Sequence, residues 1–578
     1  MKSLFRYFSG YQKECILGPM FKLLEASFEL LVPLVVKRII DVGIAGGDRI
    51  YIRNMVFLMI ALGVIGLVCS LTAQFFSAKA AVGFATRVKK VLFSHIQTLS
   101  YTELDTIGTS AMITRMTSDI NQLQNGVNMS LRLFLRSPFV VFGAMIMAFT
   151  IDTRGAFTFV WTIAALSVVV YGIMLITIPM YKVVQKHLDK VLKITRSGLG
   201  GVRVIRAFGM EEEELKEFSS ANNEHIHEQL KVGRISALLN PVTFVLINAG
   251  TIYLIYEGAL AVDSGRLTQG AVVALVNYMS QILVELIKLA NMILLLMKAI
   301  ACGNRIGDVL KTESSMKEGS NEVERREGPG EVVFEKVSMS YAGSTETAVE
   351  DISFSVRPGE TLGIIGGTGS GKTSVVSLIP RFYDVKDGRV FVDGVDVRDY
   401  TYESLRGRIA IVPQRSVLFR GSIRKNMQWG RKDATDEEIR DALKTAQALD
   451  FVEEKGEGLE YCVAAGGKNF SGGQRQRLAI ARALVRKPEI LILDDSASAL
   501  DYATDAALRK AIREMNPSPT VLIVSQRSAS IMYADQILVL DDGRVAGLGK
   551  HEDLLENCAV YREIYESQFC TAEGRAEA

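Results

Sequence analysis

Gly366-Gly-Thr-Gly-Ser-Gly-Lys372-Thr373 follows the branched apolar run Thr361–Ile365 and opens a second apolar segment, Ser374–Leu378. The spacing G-x-x-x-x-G-K-[ST] between a strand and a helix is that of a phosphate-binding loop. Its glycines let backbone N–H groups turn inward around phosphate oxygens. Lys372 reaches the terminal phosphates, and Thr373 offers a hydroxyl to Mg2+. This assigns Gly366, Thr368, Gly369, Ser370, Gly371, Lys372, Thr373 and Ser374 to a nucleotide.

Further short apolar runs surround the loop: Val332–Phe334, Val390–Val392, Ile409–Val412, Ile490–Leu493, Val521–Val524 and Ile537–Leu540. Helical segments separate several of them, which predicts an α/β domain with a largely parallel sheet. Ile490–Leu493 ends in Asp494-Asp495, placing a carboxylate where a phosphate-bound metal would sit. Ser471-Gly472-Gly473-Gln474 precedes the helix-forming run Leu478–Leu484. A hydroxyl, glycine N–H groups and a positive helix end make an anion site there.

The chain has 578 residues, 48% of them hydrophobic and 22% charged, with a net charge of +2. That excludes a disordered chain, a collagen-like repeat and a polycation built to coat nucleic acid. The average conceals two regimes. Residues 1–310 hold 51 of the 130 charged side chains and residues 311–578 the remaining 79, or 16% against 29%. Apolar runs crowd the first part: Ile16–Val36, Asn54–Ala78, Ser137–Ile151, Gly155–Tyr181, Ile235–Tyr256 and Leu267–Val284. Six such runs predict six membrane spans, because a soluble domain could not cover them with polar surface.

The spaces between spans alternate in length. The long ones, after the second and fourth spans, hold Arg87, Lys89, Lys90 and Arg115, then Lys182, Lys186, Lys190, Lys193, Arg203 and Arg206. The positive-inside rule puts them and both termini in the cytoplasm. Their helical periodicity predicts helices projecting beyond the bilayer, with turns near Thr102–Ser110 and Ala207–Leu215. Met1–Lys13 has spread charges with Leu4, Phe5, Phe8 and Tyr11 at helical spacing, which predicts an interfacial helix and not a cleaved leader. Thr312–Glu331 is polar and lacks an apolar period, so it is expected to be a linker. The predicted division is a transmembrane domain 1–310, a linker 311–331, an α/β nucleotide domain 332–568 and a tail 569–578. The six cysteines carry no C-x-x-C pair and the five histidines no ligand set, so neither a disulfide framework nor a zinc site is expected.

These motifs, in this order, resemble those of a half-transporter of the ATP-binding cassette exporters: six spans fused to one cassette. The resemblance covers the chain to about Gln568. It implies that Tyr341 stacks on adenine and that Gly366–Thr373 is Walker A. Gln414 in Val412-Pro-Gln matches the residue near Mg2+, Ser471–Gln474 the signature, Asp494 the Walker B carboxylate and Asp501 of Ser498-Ala-Leu-Asp501 the D-loop. ATP and Mg2+ are the implied cofactors. Gly201–Phe208 resembles the segment before the second coupling helix.

Two departures stand out. Family members carry Glu after the Walker B Asp and His after the next strand. Here those positions are Asp495 and Gln526. An Asp carboxylate is one methylene short, and a displacement of about 1 Å costs around 10²-fold in rate. Gln526 can hydrogen-bond but cannot carry an imidazolium's charge. The expectation is a site that binds MgATP and hydrolyses it poorly, on one subunit of a heterodimeric bacterial exporter. The partner would be a second half-transporter with intact Glu and His, and together they would move small amphipathic molecules across the cytoplasmic membrane. A homodimer with slow ATPase activity and a nucleotide-regulated non-pumping subunit remain alternatives. Ala464-Ala465 replaces the Gly-Glu that family members often carry before the signature. Within the spans Glu25, Glu29, Glu285 and Lys288 are candidates for a substrate cavity, with Arg132 and Arg136 near the third span.

Overall fold

The structure is a computed structural model that describes residues 2–324, 328–344 and 346–573. Residues 325–327 of the expected linker and 574–578 of the expected tail lie outside the described residues. The chain separates into two compact units, Met1–His95 with Ser110–Lys311, and Ile96–Thr109 with Thr312–Ala578.

The first unit is helical. Its long elements are Gln12–Arg38, Arg49–Thr98, Thr109–Ile151, Thr153–Gly200, Glu211–Asp263 and Gln269–Lys311. Among the described residues four of them, from Arg49–Thr98 through Glu211–Asp263, are long and apolar enough to cross a membrane. At 1.5 Å per residue the 48 residues of Thr153–Gly200 extend about 72 Å, over twice a hydrocarbon core of about 30 Å. Trp161, Val168 and Leu175 stand exposed on that helix, as lipid-facing residues do. Small residues let the helices meet closely. A Cβ at Gly126 would lie 2.1 Å from that of Ala299, and one at Gly250 would lie 2.7 Å from Thr162 Oγ1.

The N-terminal segment departs from expectation. Lys2–Phe8 is a 3-10 helix, in which residues three apart share a face. Leu4 and Tyr7 are therefore buried together while Phe5 is exposed, and Phe8 stacks on Phe84 at 4.2 Å.

A charged cluster ties three helices of this unit together. The buried guanidinium of Arg136 donates to Glu29 Oε2 at 2.6 Å and to Glu285 Oε1. Ser137 Oγ donates to Glu285 Oε2 at 2.8 Å, and Lys288 Nζ to Glu285 Oε1 at 2.9 Å. Glu25 turns instead to Lys22, 2.5 Å away. Removing one member of a buried ion pair strands the other charge at a cost of about 3–5 kcal/mol. Arg136→Ala should therefore lower the thermal unfolding midpoint of the detergent-purified protein markedly. An unchanged midpoint would contradict this assignment.

The second unit holds two main sheets. One has the order β12-β11-β3-β10-β9-β6, with β3 Thr361–Gly366, β6 Ile409–Val412, β9 Ile490–Asp494, β10 Thr520–Val524 and β11 Gln536–Asp541 all parallel. β12 Arg544–Gly549 closes one edge antiparallel. The other is antiparallel, β2-β1-β4-β5, formed by Val349–Val356, Val332–Met339, Asp387–Val392 and Val395–Asp396.

The expected linker is stitched to this unit. Gly319 N donates to Tyr400 O (3.1 Å), Asn321 N to Asp399 O (2.9 Å) and Arg408 Nη2 to Val323 O (2.8 Å). The segment 96–109, expected within the transmembrane domain, groups here because of specific contacts. Tyr101 stacks on Phe382 with ring centroids 4.6 Å apart, and Tyr383 Oη donates to Asp105 Oδ2 at 2.6 Å. Glu103 accepts from Ser315 N at 3.2 Å. Burial raises the Glu103 carboxyl, but hydrogen bonds from Ser100 and Ser315 outweigh it and hold the group below its ordinary range.

Candidate nucleotide-binding site

Three parallel strands bring the site together. Val524 of β10 lies opposite Ile364 of β3 on one side and Asp494 of β9 on the other. Their carboxyl ends therefore deliver the glycine loop, the acidic pair and Ser525-Gln526 to one edge, where open α/β sheets hold ligands. A cavity of about 320 Å3 lies there. Tyr341, Thr368, Gly369, Gly371, Lys372, Thr373, Ser374 and Gln414 line it with Asp494, Asp495 and Gln526. Ala348, Val524 and Ser525 also line it, and no motif in the sequence marked them.

The loop is built for an anion. Gly369 and Gly371 have φ of 88° and 89°, which glycine adopts without penalty. A Cβ at Gly371 would come within 2.7 Å of Ala348 O. Gly366 and Ser370 act from behind the lining. Lys372 Nζ donates to Gly366 O (2.9 Å), Gly367 O (2.6 Å) and Ser370 Oγ (3.3 Å). Burial pushes the Lys372 ammonium below its usual range, with Asp495 and Asp494 opposing. Tyr341 Oη lies 2.9 Å from Ser374 Oγ, which fixes the ring at the cavity wall.

The donors suit a hard cation carried by phosphates. Thr373 Oγ1 lies 3.2 Å from Asp494 Oδ1. Gln414 Nε2 donates to Asp495 Oδ2 at 3.2 Å, which leaves the amide oxygen as its acceptor end. A hydroxyl, a carboxylate and an amide oxygen match the preferences of Mg2+. Among the described residues no group of three His, Cys, Asp or Glu side chains could hold a metal by itself.

Asp494 is buried, and burial raises its carboxyl above the ordinary aspartate value. The Thr373 hydrogen bond opposes this and the Asp495 charge adds to it. A raised carboxyl holds its proton to higher pH, so a bound cation must displace that proton. MgATP binding at mildly acidic pH should therefore release protons. Calorimetric titration in two buffers of different ionisation enthalpy measures this, and Asp494→Asn should abolish the release.

The remaining predicted residues lie elsewhere. Ser471 caps the helix Gly472–Leu484, accepting from Gln474 N at 3.3 Å, while Gln474 Oε1 accepts from Ser471 N at 3.1 Å. A Cβ at Gly473 would lie 3.0 Å from Ala499 O, so this helix start packs on the segment before Asp501. Asp501 was expected at the nucleotide. Its carboxylate instead caps the helix Tyr502–Arg513, accepting from Thr504 N at 2.9 Å and Thr504 Oγ1 at 2.8 Å. None of these residues lines the cavity. The candidate substrate residue Glu285 is also committed, since both its oxygens are held by Arg136, Lys288 and Ser137.

Fold and site together define a membrane protein with a nucleotide-hydrolysis cassette. The family of ABC transporter transmembrane regions matches residues 15–286, and the ABC transporter cassette family matches residues 349–498. An uncharacterized ABC transporter ATP-binding protein of Mycobacterium tuberculosis, Rv1273c, is 36% identical over 97% of both chains. A probable multidrug resistance ABC transporter ATP-binding/permease protein of Bacillus subtilis, YheI, is 37% identical over 68% of this chain and 66% of its own. The solved structure of a bacterial Atm1-family ABC exporter with ATP bound superposes with a TM-score of 0.80, covering 96% of this chain and 98% of that one at 23% identity. The chain belongs to the ABC transporter family: it is an exporter half-transporter, an ATP-binding, ATPase-coupled membrane protein of a class that works as dimers.

Proposed function

We propose that this chain is the degenerate-site subunit of a heterodimeric exporter that moves small amphipathic molecules out across the cytoplasmic membrane. The carrying observation is that Asp495 and Gln526 line the same cavity as Lys372, Thr373 and Asp494. The groups that hold MgATP are complete, and the two that would activate water and contact the γ-phosphate are altered. In this reading Tyr341 carries adenine and the 366–374 loop wraps the phosphates. Thr373, Asp494 and Gln414 hold Mg2+, whose charge would stabilise the phosphates. Asp495 stands one methylene short of a general base.

The signature residues lie outside this chain's own cavity, which accords with each ATP being shared between two cassettes. Ser471–Gln474 would then complete the active site of a partner with intact Glu and His. Phe208, Met210 and Leu215 are exposed at the second predicted coupling turn and are available to such a partner. In this reading the basic stretches after the second and fourth spans put both termini and the cassette in the cytoplasm. The multidrug designation of YheI supports a small amphipathic cargo.

The hydrogen bond from Gln414 to Asp495 favours a second reading. It holds the short carboxylate at the cavity, so a homodimer could hydrolyse ATP slowly with Asp495 as base. Purified alone, the chain should bind ATP and turn over slowly. Asp495→Glu with Gln526→His should raise turnover at least about tenfold, from the recovered reach of the base. If that slow unpartnered turnover is abolished by Asp495→Asn, the second reading replaces the first.

A further inference from the structure

The C-terminal helix Ala559–Glu573 reaches back to the wall of the nucleotide cavity through one side chain. Gln568 Nε2 donates to Gln526 O at 2.7 Å, and Gln568 Oε1 accepts from Ser528 N at 2.9 Å. The two bonds bracket Arg527. β10 ends at Val524, Ser525 N still donates to Ile364 O of β3 at 3.1 Å, and among the described residues no named strand pairs with 526–528. The amide therefore substitutes for a ladder neighbour, supplying one donor and one acceptor to backbone groups two residues apart. A carboxamide offers that pair on two separate atoms.

The clamp is itself held firmly. Tyr561 on the same helix is fully buried with its hydroxyl 2.8 Å from His551 Nδ1, and Ile564 packs against the core. The helix packs on β3, β11 and the short helix Ser528–Ile531.

What the clamp holds reaches further than Gln526. Arg527 donates from Nη1 to Leu500 O and from Nη2 to Ser498 O, both at 3.2 Å. Its guanidinium lies over the Tyr502 ring, 5.3 Å from the centroid. Ser498 Oγ in turn donates to Asp495 O at 2.8 Å. A continuous path thus runs from Gln568 through the 526–528 backbone and Arg527 to the 498–501 loop and Asp495.

We propose that Gln568 is a positioning residue for ATP turnover: it fixes the backbone that presents Gln526 and, through Arg527, the loop 498–501 on which the signature helix start packs. The proposal rests on the reading of Gln526 as the γ-phosphate position. Gln568 does not line the nucleotide cavity, so its loss should alter the chemical step and leave nucleotide binding intact.

The test is steady-state ATPase of the full-length transporter in whichever dimer it forms. Gln568→Glu keeps the bond from Ser528 N but sets an oxygen against Gln526 O. Gln568→Asn is one methylene short. Each should lower kcat about tenfold with KM for ATP within about twofold, as expected for a misplacement below about 1 Å. Thermal unfolding midpoints should stay within about 2 °C. Arg527→Lys keeps the charge and loses the fork. Combined with Gln568→Glu it should reduce kcat no further than the stronger single change. An unchanged kcat, a loss that appears only in KM or in the melting midpoint, or additive effects would each overturn the proposal. In a heterodimer kcat reads the loop 498–501 and the signature helix start packed on it, and in a homodimer it reads Gln526 as well, so failure of the heterodimer assignment leaves this outcome separately visible.

Discussion

The register of three strands is the constraint on which the rest depends. β9, β10 and β3 are paired in parallel so that Asp494, Val524 and Ile364 lie abreast. The acidic pair starts in that row, Ser525 follows one residue later and Gly366 two residues later. A slip of one residue would invert every side chain on the moved strand and carry its carboxylate or glycine away from the others. Burial enforces the register. Every residue of β9 and β10 is buried: Leu491, Leu493, Val521 and Ile523 cluster with helices, and Ile490, Ile492, Leu522 and Val524 with the antiparallel sheet and the helix Lys372–Leu378, so no alternative pairing hides the same apolar surface.

That constraint also explains what could be foreseen from the sequence. Strands buried on both faces read as continuous apolar runs, and Ile490–Leu493, Val521–Val524 and Ile537–Leu540 emerged cleanly. β2 and β12 did not. Val349–Val356 alternates buried and exposed residues, and Arg544–Gly549 is an edge strand with two glycines. The glycine loop and acidic pair were legible because their spacing is local. The clamp by Gln568 was not, since 42 residues separate it from Gln526 and no pattern links a terminal helix to a strand end. Arg136 was seen only as a charge near a span. Its role as the link between Glu29 and Glu285 depends on helix packing that sequence spacing does not encode.

The cassette and the helical unit handle charge by opposite means. In the cavity Lys372 is surrounded by loop carbonyls and faces two carboxylates, an arrangement ready to exchange partners when phosphate arrives. Between the helices Arg136 is committed to two carboxylates. The first arrangement stores binding capacity, and the second stores structural specificity.

Asp495 has φ of 47°, in the left-handed region. Aspartate tolerates that conformation better than most residues, because its short side chain can hydrogen-bond locally. Glutamate lacks that relief. A change from glutamate to aspartate here sheds catalytic reach and eases the backbone at once, whereas the reverse change must re-impose the strain. The backbone at this position therefore favours the shorter carboxylate on its own account, whatever the chemistry asks of it.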